Sequence, residues 1–125
     1  MMAMQTRQQQ WARDVYEKID RVEKRSREEQ KDYGRICVNF PALLHASGLC
    51  QAVAFCQAKG SAPGREHFIQ FLNDLADTVG VDHSWTVARE ADLVQYIRLT
   101  QRVMQAATWY KRYAEAILKV QPGED

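Results

Sequence analysis

Three histidines and three cysteines are the side chains best suited to chemistry at neutral pH, and their spacing argues against it. His45, His67 and His83 stand far apart, and none falls in the HExxH or CxxC patterns that hold zinc. A helical RNase would call for an arginine followed by a histidine a little over one helical turn later. Arg65 and His67 are too close for that, and Arg35 and His45 too distant. A Cys–His nucleophilic pair needs partners that meet in space. Cys37, Cys50 and Cys56 fall at apolar helical positions, where a thiolate is unfavourable. Asp74 and Asp77 share a helix face loosely and read as a solvated pair. The segment GSAPGR lacks the lysine of a phosphate-cradling Walker loop. These residues point to no enzyme, no cofactor and no metal.

The cations say more. The formal net charge is only +1, but its distribution is uneven. Residues 61–97 set two arginines against six carboxylates, a balance of −4, whereas residues 98–119 set five basic side chains against Glu115 alone, a balance of +4. Such polarity suits head-to-tail contacts or one-sided binding of RNA. Arg98, Arg102, Lys111 and Arg112 lie on one predicted helix without interleaved acids, forming a candidate ridge for phosphate contacts. Lys59, before Gly60, is a fifth candidate, although a lysine there also complements a helix C-terminus. Trp109 and Tyr113 would add base stacking if exposed and core packing if not. Four phosphate contacts to a single strand imply a log–log salt slope of about −2.8 and weak binding by one copy alone. Several linked copies would raise avidity.

These side chains need a scaffold, and the periodicity for it is helical throughout. The 125 residues read as one domain, with 46% hydrophobic and 10% aromatic residues, enough for a core. No run approaches a membrane span. The N-terminal MMAMQTRQQQ carries no apolar signal core, which together with unpaired cysteines predicts a reducing cytoplasm. Thr6 caps a first helix with Trp11, Val15, Ile19 and Val22 along one stripe, and one long helix is expected to continue through the charged run 23–32 to Phe40, held by pairs such as Glu23 with Arg27. Pro41 should open a short helix closed by Gly48. The next, Leu49 to Lys59, should turn Leu49, Val53, Phe55 and Cys56 inward. Pro63 should open a helix ending at Gly80, and a last helix, capped by Ser84 or Thr86, should run to Leu118. It should face Leu93, Ile97, Thr100, Met104, Ala107 and Leu118 inward, with Arg98, Arg102 and Gln105 projecting; toward the C-terminus the stripe should turn onto Trp109, Tyr110, Tyr113 and Ile117 and leave Lys111 and Arg112 outside. The expected architecture is an all-α, single-domain bundle of about five to seven helices, frayed at residues 1–5 and 120–125.

An ordered set of short motifs carries a family resemblance. It comprises QTRQQQWARDVYEKI, then Tyr33, Phe40–Pro41–Ala42–Leu43, Ser47–Gly48–Leu49, Gln51–Ala52–Val53–Ala54–Phe55 and Lys59–Gly60, and finally Tyr96, Arg98 and Trp109 to Ala116. The set resembles the small helical subunit of the type III-B (Cmr-type) CRISPR RNA-targeting effector complex. Ser47 stands where the family pattern has asparagine, and the chain is nearly neutral. The resemblance implies a non-catalytic protein that stacks in several copies beside the repeated backbone subunits, and helps hold guide RNA and target RNA during antiviral defence. Cleavage and nucleotide signalling would belong to other subunits, and guide–target pairing would supply specificity. Two other readings stand beside it: a purely structural helical adaptor, and the small subunit of a related type III-A complex.

Overall fold

The computed structural model describes residues 4–122. Among them are six α-helices, a closing π-helical turn and no strand, so the chain is the all-α bundle its periodicity predicts. Helix α1 (Arg7–Glu23) opens with a capping box: Thr6 Oγ1 accepts from the Gln9 N–H at 3.0 Å, and the Gln9 side chain accepts from the Thr6 N–H at 2.9 Å. Trp11, Val15, Ile19 and Val22 are all buried.

The single long helix expected across residues 23–32 is two. Helix α2 spans Arg27–Ser47, with Ser26 as its cap accepting from the Glu29 N–H at 3.2 Å. The Gln30 amide donates to the carbonyls of Glu23 and Arg25, at 2.8 and 3.0 Å, and so closes α1. Both orphaned helix ends are satisfied locally, which makes a break favourable. Arg27 does not pair with Glu23; its guanidinium donates to the carbonyls of Leu118 and Lys119. Pro41, expected to start a helix, lies inside α2. An interior proline costs about 3 kcal/mol, and burial of its neighbours Phe40 and Leu44, at about 1.5–3 kcal/mol each, offsets that.

Helix α3 (Leu49–Gly60) buries Leu49, Ala52, Val53 and Cys56. Phe55, expected inside, falls off that face and is 44% exposed. Helix α4 (Glu66–Val79) begins three residues after Pro63, which sits in the turn instead of at the helix start. The last predicted helix is also divided. The Asp82 carboxylate, not Ser84 or Thr86, caps α5 (Thr86–Glu90) by accepting from the Thr86 and Val87 N–H groups at 3.0 and 3.3 Å. These bonds hold the Asp82 carboxyl below its usual range. Asp92 then caps α6 (Leu93–Tyr113), accepting from the Gln95 N–H at 2.9 Å. Trp85, at a left-handed φ of 57°, is buried where the chain turns into α5.

Helix α6 packs on α1, α2 and α4, and the π-helical turn Ala114–Leu118 follows it. The chain reverses at Lys119 and lays Val120 on α2. The frayed ends expected at 1–5 and 120–125 fall partly outside the described residues; Val120, within that tail, is fully buried. Gly34 makes room for it, since a Cβ there would lie 2.7 Å from Val120 Cγ2. The helix-weakening glycine of α2 is thus the seat of the C-terminal segment. Gly34→Ala should lower stability by about 1 kcal/mol through overpacking, although Gly→Ala in an unobstructed helix stabilises by about as much. In a Val120→Gly background the same change should stabilise. Urea unfolding of the four chains tests this, and a gain from Gly34→Ala in the parent chain would contradict it.

Candidate nucleic-acid interface

The inner face of α6 is Leu99, Val103, Ala106, Ala107 and Tyr110. This differs from the predicted stripe: Leu93 and Ile97 are 73% and 47% exposed, because the first turn of α6 overhangs the bundle. Tyr96 anchors that turn to α3, its hydroxyl oxygen accepting from the Cys50 N–H at 3.0 Å. At the other end Tyr110 is fully buried. Thr78 commits its single proton to the Asp14 carboxylate, so the Tyr110 hydroxyl donates to Thr78 Oγ1, 2.8 Å away. Lys18 Nζ completes the chain, 2.8 Å from Asp14. This network links α1, α4 and α6 and fixes how α6 is rotated.

That rotation decides where each candidate cation lies. Arg98 and Arg112 are exposed on the outer face, together with Gln101 and Gln105. With Trp109 they fall within an arc of roughly 80° on the helix. Helix α6 contains no acidic residue, and among the described residues no carboxylate lies within ion-pair distance of either arginine. Arg102 lies just beyond the edge of that arc and is engaged: its Nη2 donates to the Val79 carbonyl at 2.8 Å, closing the C-terminal end of α4. Lys111 is half-buried and sits roughly 140° round the helix from Arg98. Lys59 lies at the opposite end of α3 from the Cys50–Tyr96 contact, its ammonium 5.5 Å from the centre of the Phe55 ring. The fold therefore brings Arg98 and Arg112 together on one strip and sends Lys59 and Lys111 elsewhere.

The strip has a second wall that sequence reasoning missed. The Trp109 indole N–H donates to Gln8 Oε1 at 2.7 Å, and Gln8 Nε2 donates to Gln105 Oε1 at 2.9 Å. Gln8, Gln105, Thr108, Trp109 and Arg112 line a cleft of about 250 Å³ between α1 and α6. Tyr113 lies 5.6 Å from Trp109, ring centre to ring centre, and Tyr16 of α1 meets Tyr113 edge-on at 5.6 Å. The glutamine run of the first helix was the available signal, but no local pattern says which glutamine faces α6.

The reactive side chains behave differently. Cys37 and Cys56 are buried; loss of solvation pushes the Cys56 thiol up to about 12 and raises Cys37 as well. Asp74 is not the solvated carboxylate its sequence position suggests. It accepts from the Tyr33 hydroxyl at 2.6 Å, and burial holds its carboxyl above the usual 3.8. Asp77 instead pairs with His83 at 2.7 Å. Among the described residues no three His, Cys, Asp or Glu side chains gather as metal ligands, and no helix is long and apolar enough to cross a membrane.

Comparison with known proteins gives a consistent result. Residues 7–117 match the family model described as CRISPR-associated protein (Cas_Cmr5). The chain is 38% identical over 119 residues to the CRISPR system Cmr subunit Cmr5 of Thermus thermophilus, covering 93% of this chain and 99% of that protein. It is similar also to the crystal structure of a CRISPR-associated Cmr5 family protein from the same organism. There the TM-score is 0.81 at 39% identity, over 91% of this chain and 98% of the other.

Asp74 yields a test of the internal network. Its folded state holds the proton more tightly than the unfolded chain does, so its contribution to stability is complete below the usual 3.8 and is lost as pH rises through the raised folded value. Asp74→Asn keeps an oxygen for the Tyr33 hydroxyl and removes the charge. The variant should gain stability relative to the parent between about pH 3 and pH 7, measured by chemical denaturation. A difference that stays constant with pH would contradict the assignment.

Proposed function

This chain belongs to the CRISPR-associated Cmr5 family, and from that premise we propose that it is the non-catalytic small subunit of a type III-B CRISPR ribonucleoprotein, stacking in several copies and helping to hold guide and target RNA. The observation that carries the RNA part is the outward strip of α6, which bears Arg98 and Arg112 without an acid and, among the described residues, without an ion-pair partner. Guanidinium groups in that state suit phosphate oxygens, which position a strand without reading its sequence. Arg102 acts in this reading as a structural side chain. Lys59 and Lys111, on other faces, would serve neighbouring subunits or a different stretch of RNA. Two phosphate contacts per copy imply a salt slope of about −1.4, so useful retention depends on several copies in line.

A specific observation favours the adaptor reading for a different face. Leu93, Val94 and Ile97 are exposed together on the first turns of α6. A groove between α2 and the α3–α4 pair is lined by Ile36, Phe40, Leu43, Phe55 and Phe68. Apolar surface of this kind supports protein contact. The two roles therefore divide between surfaces of one molecule.

In the assembled complex, Arg98→Glu or Arg112→Glu should weaken target-RNA retention uniformly across sequences and flatten the salt slope by about 0.7 or more per copy. Arg102→Met should instead lower the stability of the isolated subunit by about 1.5–3 kcal/mol. Filter binding at several salt concentrations and thermal unfolding measure the two effects. If the Arg98 and Arg112 reversals disrupt assembly while retention by intact complexes is unchanged, the RNA-holding role is wrong and the adaptor role stands.

A further inference from the structure

We propose that the cleft between α1 and α6 is a nucleobase subsite, in which one unstacked base of a ribonucleotide strand lies on Trp109 while neighbouring phosphates meet Arg112 and Arg98. This rests on the RNA-holding role and adds a contact to the base itself.

Trp109 is the one tryptophan of three left partly open: Trp11 and Trp85 are 6% and 1% exposed. Its ring is set before any ligand arrives. The indole N–H is held by Gln8, and Gln8 in turn holds Gln105. A ring fixed in this way loses little further rotamer freedom on binding. Stacking on such a platform tolerates any base, because every base has a π-face. Tyr113 and the half-exposed Tyr16 extend the aromatic wall beyond it.

The polar lining is complementary to a nucleotide. The oxygen of the Gln105 amide is occupied by Gln8, which leaves its NH2 group facing outward as a donor. The Thr108 hydroxyl donates its proton to the Met104 carbonyl at 2.8 Å, so toward a ligand its oxygen can only accept. The Arg112 guanidinium, on the same cleft, has no carboxylate of the described residues within ion-pair distance. The free donors beside the aromatic face are therefore the Gln105 NH2 group and the Arg112 guanidinium. They match base carbonyls and phosphate oxygens, whereas an apolar partner segment would strand them without acceptors. Arg98 lies fourteen residues before Arg112, about 21 Å along the helix, a span that several nucleotides of a single strand can follow.

The test uses the full chain and needs no variant to fold. Titrate it at low salt with an oligouridylate of about 12 nucleotides and with an abasic ribose-phosphate oligomer of equal length, following tryptophan emission. The oligouridylate should bind at least about fivefold tighter than the abasic strand and should quench the emission. Trp109→Ala should abolish that preference, so that the variant binds both oligomers with equal affinity. Equal affinity of the parent chain for both oligomers would overturn the subsite and leave phosphate-mediated RNA holding intact. Absence of binding to either at low salt would also overturn the subsite. A folded Trp109→Ala chain that still prefers the oligouridylate would likewise overturn the subsite.

Discussion

The outer surface of α6 is set by how its inner surface is bonded. Tyr110 is fully buried, and its hydroxyl reaches Thr78 on α4, which reaches Asp14 on α1. A rotation of α6 by even one residue would carry Tyr110 out of that network and leave buried polar groups without partners. Each such group costs about 1–3 kcal/mol, on top of the apolar area lost with Leu99, Val103 and Ala107. The helix has one available setting, and in that setting Arg98, Gln105, Trp109 and Arg112 face outward. Because α6 carries no acid, this face stays positive without any cluster of lysines.

The bundle is closed at its far end by a similarly local device. Arg27, the first residue of α2, donates to the carbonyls at the end of the π-helical turn. Val120 then packs into the space that Gly34 leaves on the same helix. Both contacts join residues about ninety positions apart, so the first half of the chain fixes the last element. Arg102 has the same character at the end of α4. A cation drawn into capping a helix is lost to ligand binding, which is why counting charges along α6 overstates the number of free cations on its outer face.

Much of the scaffold is legible in the residues themselves. Thr6 with Gln9, and the stripe of Trp11, Val15, Ile19 and Val22, define α1, and the left-handed Gly80 ends α4. The breaks were harder. Ser26-Arg27-Glu28-Glu29 is a helix-start signature, but it lies inside a run of charges whose spacing also suits a continuous exposed helix. Pro41 reads locally as a helix start, and only the tertiary burial of Phe40 and Leu44 keeps the helix running through it. For the candidate strip, sequence separates basic from acidic segments and places Arg98 and Arg112 on one acid-free helix. It cannot separate Arg102 from them, because the acceptor for Arg102 is a backbone carbonyl on another helix. Gln8 was invisible for the same reason, its partners lying about a hundred residues away. Family motifs carried further than periodicity, since an ordered set of short strings survives errors in where each helix begins.

The central claim is that the outward strip of α6 faces RNA in the assembled complex. A photoreactive residue placed at exposed Gln101, between Arg98 and the cleft, tests it most directly. Irradiation of the complex with bound target RNA should give adducts to RNA from this position. Adducts solely to protein subunits, in complexes that retain their RNA, would contradict the account.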